Sequence, residues 1–208
     1  MAHMVIVGNA PLAFDSSPLV DSADVVVRLN DCKNDVGFSG TKTTILCVSN
    51  TGAPARRYIA TASLRTIRKC ASAREFWFPR HTEAHLDFVR QTQPASRLQE
   101  YFDLTDDIVR ANGLEGRELV RFSRELNTGL FRAIQEAMVR HGIRDALFEC
   151  PSTGMFAIAY ALTAAEFRGY RLHLVGFGFQ GWSGHPWAAE RQLVADVAHT
   201  GRLIFHPA

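Results

Sequence analysis

The chain has 208 residues, of which 47% are hydrophobic, so it can bury one sizeable core in a single domain over residues 1–208. Its formal net charge is +2 and no run is rich in lysine or arginine, which argues against nucleic acid or an anionic membrane surface as the main partner. No apolar run approaches the roughly 20 residues that a spanning helix needs, so we expect no transmembrane segment.

The first two apolar runs predict β-strands that each end at an asparagine. Residues 4–7 lead directly into Gly8 and Asn9, and the β-branched run 23–29 leads into Asn30. Asparagine side chains offer both a donor and an acceptor, which suits a ribose hydroxyl or a phosphate oxygen. The first run is not a dinucleotide fingerprint, because no G-x-G-x-x-G follows it.

The N-terminus and the cysteines indicate a cytoplasmic protein. The chain enters its first strand within four residues, so we expect no signal peptide. None of the cysteines has the C-x-x-C spacing, which predicts free thiols in a reducing compartment.

Strands and helices alternate along the rest of the chain. Further strands are predicted at residues 44–49, 75–78, 170–176 and 202–205. A helix is predicted at 60–70, a mostly helical stretch at 81–142, and a last helix at 187–200. This order predicts an α/β fold, with a mostly parallel sheet that helices cover on both faces.

The stretch from residue 150 to residue 179 contains the clearest binding signal. The turn Ser152, Thr153, Gly154 runs into an apolar, alanine-rich helix, and Ser152 or Thr153 can cap it. The unpaired N–H groups and the dipole of a helix start both favour an anion. An ordinary capped helix in an α/β core is the alternative interpretation.

The loop before the last helix supplies a candidate catalytic pair, His185 and Glu190. The loop follows a strand, on the same side of the sheet as the Ser152 turn, so His185 is expected near the anion site. Histidine is the usual general base for a hydroxyl, and Glu190 is placed to orient it or tune its charge. The alternative is a surface histidine beside a helix start, with Glu190 exposed.

Two other patterns carry no function in our interpretation. His81 and His85 are one helical turn apart, but the glutamate between them is out of place for a zinc protease, which favours a solvated helix face. Ser152 is not in a G-x-S-x-G elbow, which argues against an esterase. No metal site is predicted.

Taken together, the motifs resemble those of the eukaryotic-type sialyltransferases, glycosyltransferase family 29. The family's large motif is matched in order by VGNA at 7–10, VDSADVVVRLN at 20–30 and GFSGTKTT at 37–44. Its small motif is matched by PSTG at 151–154 and by the strand that ends in GFG at 176–178. Its last motif, H-x-x-x-x-E, is matched by His185 and Glu190.

The resemblance implies a Rossmann-like, variant GT-A-like single domain and a metal-independent inverting transfer from a CMP-activated sugar. Asn9 and Asn30 would contact CMP, and Ser152, Thr153 and Gly154 would hold its phosphate or ribose. His185 would be the base that deprotonates the acceptor hydroxyl. No cofactor is implied beyond the CMP-sugar donor, and the acceptor would be a glycan or glycolipid.

The departures from the family pattern leave alternatives open. The cysteines do not occupy the places of the disulfide between its large and small motifs, its third motif is missing or collapsed into residues 181–184, and Ala10 replaces a serine. We expect no counterpart of its membrane anchor. Kdo, another acidic keto-sugar carried on CMP, is therefore a rival to sialic acid. A nucleotide-binding module without transfer activity and a CMP-sugar hydrolase of the same fold are the other readings. From position alone, Trp77, Arg80 and His81 are candidates for the acceptor side.

Overall fold

In the computed structural model, which describes residues 1–33, 37–90, 93–144 and 148–207, seven strands form one sheet. In chain order they are β1 (His3–Val7), β2 (Val25–Leu29), β3 (Ile45–Cys47), β4 (Glu75–Phe78), β5 (Glu118–Arg121), β6 (Arg171–Phe177) and β7 (Leu203–Pro207). Their order across the sheet is β5-β4-β3-β2-β1-β6-β7, and every neighbouring pair is parallel.

Helices connect the strands and cover both faces of the sheet. They are α1 (Ser17–Ser22), α2 (Gly52–Thr61), α3 (Arg68–Ala71), α4 (Thr82–Val89), α5 (Thr105–Asn112), α6 (Arg124–Arg140), α7 (Thr153–Thr163) and α8 (Trp187–His199). Short 3₁₀ helices lie at Ser63–Arg65, Ala95–Tyr101 and Ala165–Phe167. No helix in the described part of the chain is long and apolar enough to cross a membrane.

Alternate strand residues point to opposite faces, as the strand period of two requires. Met4 and Ile6 pack in a cluster with residues of α6, α7 and α8, whereas Val5 and Val7 pack against α1 on the other side. A further cluster joins β3 and β4 to α2 and α5. The α/β fold with a parallel sheet flanked by helices is confirmed.

The position of β1 creates a cleft at one edge of the sheet. The chain proceeds from β1 to β5 on one side of β1, while β6 and β7 lie on the other side. In sheets of this type, ligands bind at the carboxyl ends of the strands where the strand order reverses. The loops after β1, β2 and β6 meet at that point.

Two predicted segments differ from the structure. The helix expected at 60–70 is wrong, because α2 ends at Thr61, where Ala62 adopts a left-handed φ of 48°, and a 3₁₀ turn and the short α3 follow. The stretch at 81–142, of which residues 91 and 92 lie outside the described part, contains the strand β5. That edge strand is mostly exposed and carries only one β-branched residue, Val120, so its sequence resembles an exposed helix face.

The solvated helix face expected at His81 and His85 is also wrong. His85 is fully buried, and its ring contacts those of Tyr101, Phe131 and Phe156. Neither ring nitrogen of His85 has a hydrogen-bond partner in the described part of the chain. Burial lowers the pKa of His85 to about 3, so the side chain is a neutral part of the core.

Candidate active site

A cavity of about 300 Å³ lies in the cleft where the loops after β1, β2 and β6 meet. All seven residues that the sequence predicted for the site line this first cavity: Asn9, Asn30, Ser152, Thr153, Gly154, His185 and Glu190. Phe177, Phe179 and Trp187 also contribute to its walls. The topology thus brings together residues that are far apart in the chain.

Two glycines allow the chain segments to approach closely enough to form this cavity. A Cβ on Gly8 would lie 2.2 Å from the carbonyl oxygen of Gly176, so the turn after β1 can lie against β6 only without a side chain. A Cβ on Gly154 would lie 2.8 Å from the ring of Phe177. Larger residues at these positions would push the helix start and the first turn away from the sheet edge.

The two asparagines hold the loops of the cavity as well as lining it. The Asn9 amide donates to the carbonyl of Leu29 (3.3 Å) and accepts from the N–H of Lys33 (2.9 Å). Asn30 has a left-handed φ of 52°, and its side-chain oxygen accepts from the N–H of Ser49 (2.8 Å). Asparagine tolerates that conformation better than most residues, which gives a backbone reason for its presence at the end of β2.

Ser152 is the N-cap of α7, as the sequence predicted for Ser152 or Thr153. Its hydroxyl accepts from the N–H of Met155 (3.1 Å), which is the bond of an N-cap. Thr153 and Gly154 form the first turn, where N–H groups have no acceptor within the helix. The open end of an 11-residue helix therefore faces the first cavity.

Glu190 bonds to Ser152 rather than to His185. Its carboxyl group accepts from the N–H of Ser152 (2.6 Å) and from the Ser152 hydroxyl (2.7 Å). The side chain is only 1% exposed, so the alternative of an exposed Glu190 is wrong. Burial raises the pKa of Glu190 to about 7, although the two bonds from Ser152 act in the opposite direction. Ser152 thus has its donors engaged within the protein.

His185 is held by the loop that precedes α7. Its Nδ1 lies 2.8 Å from the carbonyl oxygen of Cys150, and because a carbonyl only accepts, Nδ1 carries the proton and Nε2 has a free lone pair. The rings of Trp182 and Trp187 contact it edge to face, at centroid distances of 4.8 Å and 4.9 Å. Burial lowers the pKa of His185 to about 4, so the imidazole is neutral at physiological pH.

A second cavity of about 390 Å³ adjoins the first, and His185 lines both. Its polar walls come from the loops after β3 and β4, the 3₁₀ helix Ala95–Tyr101 and the segment before α7: Ser49, Thr51, Arg80, Arg97, Glu100, Tyr101 and Glu149. Of the residues that position alone placed on an acceptor side, Arg80 lines this cavity, whereas Trp77 is fully buried in the core.

Most residues of the second cavity were missed because they form no local pattern. Arg97 forms a two-point ion pair with Glu149 (3.2 Å and 3.0 Å), and the Tyr101 hydroxyl donates to the same carboxylate (2.6 Å). These three residues belong to segments about fifty positions apart. Within the described residues, no group of three or more histidine, cysteine, aspartate or glutamate side chains has the geometry of a metal site.

Comparisons with known proteins agree with the motif order. The family model of glycosyltransferase family 29 (sialyltransferase) matches residues 3–192. The urease operon 23 kDa accessory protein of Rhizobium meliloti (strain 1021) is 31% identical over 205 residues, which cover 98% of this chain and 93% of that protein.

Solved sialyltransferases share the fold. A mammalian sialyltransferase in complex with Gal-β-1-3GalNAc-ortho-nitrophenol aligns with a TM-score of 0.55 and 15% identity, over 99% of this chain and 69% of that one. The sialyltransferase CST-II in complex with CMP, an enzyme of Campylobacter jejuni, aligns with a TM-score of 0.52 and 12% identity, over 98% and 80%. The GT-A-like fold implied by the resemblance is confirmed.

Proposed function

The chain belongs to glycosyltransferase family 29, and from that premise we propose that it is a metal-independent, inverting glycosyltransferase. It moves an acidic keto-sugar, sialic acid or Kdo, from a CMP donor to a hydroxyl of a glycan or glycolipid. One observation carries the proposal. A single cavity gathers Asn9, Asn30 and the open N-terminus of α7, and a neutral histidine with a free lone pair stands in its wall.

The first cavity would bind CMP with its phosphate at the start of α7. The N–H groups of Thr153 and Gly154 and the helix dipole favour an anion there. Asn9 and Asn30 retain donor capacity for the ribose or the base, because each amide nitrogen carries two hydrogens. CMP leaves with less charge than a nucleoside diphosphate, so such donors can stabilise it as the bond to the sugar breaks.

His185 would act as the general base. As the acceptor hydroxyl oxygen attacks the anomeric carbon, Nε2 takes its proton, and the bond from that carbon to the CMP phosphate oxygen breaks on the opposite side. The hydrogen bond from Nδ1 to the Cys150 carbonyl fixes the ring orientation before and after proton transfer. Attack opposite the leaving group inverts the configuration of the carbon.

Donor binding would make His185 a stronger base. The pKa of His185 is about 4 in the empty site because of burial, which is low for proton transfer from a hydroxyl at neutral pH. A phosphate in the same cavity stabilises the imidazolium form and raises that pKa. Glu190, with a pKa of about 7, takes up a proton readily and so limits its repulsion of the phosphate.

Calorimetric titration with CMP, with UMP, AMP and NAD as controls, tests the first step of the proposal. Selective CMP binding is the expected result, and incubation with CMP-sialic acid or CMP-Kdo and a panel of glycan acceptors then identifies the sugar. Failure to bind CMP would refute the proposal. CMP release that no acceptor accelerates would identify a CMP-sugar hydrolase instead.

A second candidate is a nucleotide-binding module without transfer activity. The observation that favours it is the 31% identical relative, which is named an accessory protein. Selective CMP binding without turnover of either CMP-sugar, with or without acceptors, would establish this candidate over the first.

A further inference from the structure

Arg80 is a buried cation with an unpaired donor. It follows β4, and Asn50 holds its backbone on both sides, since the Asn50 amide donates to the Arg80 carbonyl (2.9 Å) and accepts from the Arg80 N–H (2.9 Å). The residue is 6% exposed, and its Nε has no hydrogen-bond partner among the described residues. Its Nη1 donates to the Ser49 hydroxyl, a neutral acceptor.

No ion pair in the described part of the chain includes Arg80. Of the acidic residues around the two cavities, Glu149 is engaged by Arg97 and Tyr101, and Glu100 lies 3.6 Å from Arg97. Glu190 accepts two hydrogen bonds from Ser152, and the charge of Arg80 acts on its pKa without forming an ion pair. Desolvation of a charge without a partner destabilises a fold, so buried arginines are normally paired.

Arg28 shows how the same fold satisfies an arginine that has a structural role. Arg28 is 1% exposed, and it donates to the carbonyls of Ser39 (2.7 Å), Gly40 (3.0 Å) and Lys42 (3.1 Å). Three carbonyls thus surround that guanidinium and fix the 39–42 loop. Among the described residues, no carbonyl accepts a hydrogen bond from the guanidinium of Arg80, which instead lines the second cavity.

We propose that Arg80 binds the carboxylate of the donor sugar, with the sugar in the second cavity. This inference rests on the proposed function. A guanidinium matches a carboxylate with two parallel hydrogen bonds. In an acidic keto-sugar donor, the carboxylate is attached to the same anomeric carbon as the CMP phosphate. A phosphate at Thr153 and a carboxylate at Arg80 therefore place that carbon where the two cavities meet, beside His185.

The site would select for acidic sugars through the cost of leaving Arg80 unpaired. A neutral sugar on CMP would bury the guanidinium without a counter-charge, whereas sialic acid and Kdo both supply one. Arg80 would thus determine the specificity for acidic sugars, while the first cavity would determine the specificity for the nucleotide.

The test compares binding of CMP with binding of a transfer-resistant CMP-sialic acid analogue and its C1 methyl ester. Arg80→Met should leave the Kd for CMP within about threefold and weaken binding of the analogue by about 10- to 100-fold, the loss expected for a charged hydrogen-bonded pair. The affinity of Arg80→Lys for the charged analogue should lie between those of wild type and Arg80→Met. The uncharged ester should bind Arg80→Met at least as tightly as wild type, because only the wild-type guanidinium is then buried without a counter-charge. Arg140→Met, at the far end of α6 and 60% exposed, is the matched control.

Thermal unfolding separates ligand binding from a structural role. Arg80→Met should raise Tm by a few degrees, because it removes a buried charge that forms no ion pair, whereas Arg28→Met should lower Tm. Equal affinity of wild type and Arg80→Met for the charged analogue, with CMP binding intact, would refute this inference but not the proposed function. If Arg80→Met raised only the KM for anionic acceptors, Arg80 would bind a carboxylate of the acceptor and not of the donor, which would also refute the inference. A wild-type protein that does not bind CMP would remove both.

Discussion

The two cavities that meet at His185 are built on different principles. In the first, the polar side chains already bond to the protein, as Ser152 does with Glu190 and Asn30 with Ser49. What remains for a ligand is backbone N–H at a helix start, together with the spare amide hydrogens of Asn9 and Asn30. In the second, the charged side chain of Arg80 forms no ion pair within the described residues, and its Nε has no hydrogen-bond partner there. If the proposed donor binds as described, the first cavity is organised before the ligand arrives, whereas the charge of the second cavity is balanced only by the ligand.

His185, which belongs to both cavities, should give the largest effect. Because the proposed base acts on the acceptor and not on the nucleotide, His185→Ala should reduce transfer by about 10²- to 10⁴-fold. The Kd for CMP should change little. Steady-state kinetics and calorimetry on the same preparation check both parts, and coupled loss of CMP binding would contradict the assigned role.

Asn30 tests whether the first cavity depends on preorganised loops. Asn30→Gly and Asn30→Ala should each weaken CMP binding by roughly tenfold, the value of one hydrogen bond. The free energy of unfolding of Asn30→Ala should be about 1 kcal/mol lower than that of Asn30→Gly, because alanine disfavours the φ of 52° and glycine does not. Urea unfolding of both variants gives the comparison. Equal stability of the two variants would show that the loop after β2 can change its backbone conformation at residue 30, which would contradict a preorganised cavity.

Buried histidines should make the protein sensitive to acid. Burial lowers the pKa of His85 to about 3, and that of His173 and His185 to about 4, from an unfolded value near 6.5. The unfolded state then binds more protons, so stability is complete above pH 6.5 and falls as the pH drops toward 4. His85→Leu, which removes the ring stacked against Tyr101, should flatten the slope of Tm against pH. An unchanged slope would contradict the burial of His85.

Glu190 should show the opposite dependence. Its folded pKa of about 7 lies above the unfolded value of 4.5, so its contribution to stability is present below pH 4.5 and is lost as the pH rises through 7. Glu190→Gln should therefore match wild type in Tm near pH 5 and exceed it by a few degrees at pH 8. Differential scanning calorimetry at both values checks this. If the Tm difference between Glu190→Gln and wild type were the same at both pH values, the pKa of Glu190 would not be raised by folding.

Removal of divalent metal ions should have no effect on transfer. If helix N–H groups stabilise the leaving CMP, transfer activity should be the same before and after dialysis against EDTA. Inhibition that a divalent ion reverses would mean that the first cavity requires a cation to hold the phosphate.

Much of the first cavity could be predicted from the sequence, because its residues lie in short motifs. Asn9 and Asn30 each follow an apolar strand, and PSTG precedes an apolar helix. Parallel strands bring such strand ends to one edge, so the residues were placed together without a structure. The partner of Glu190 could not be predicted, since five positions of spacing from His185 do not determine the direction of a side chain in the first turn of α8.

The amino-acid sequence by itself determined the α/β class, the positions of most strands along the chain and the seven candidate residues of the first cavity, because these depend on local periodicity and on turns. Only the tertiary structure decided the second cavity. Of its polar residues, Arg80 follows β4, Arg97 and Tyr101 lie in the 3₁₀ helix, and Glu149 precedes α7. Packing of these segments makes the residues neighbours. Arg28 is surrounded by carbonyl acceptors and Arg80 is not, and this difference depends on contacts between distant segments. Hydrophobic patterns in the sequence do not predict such contacts.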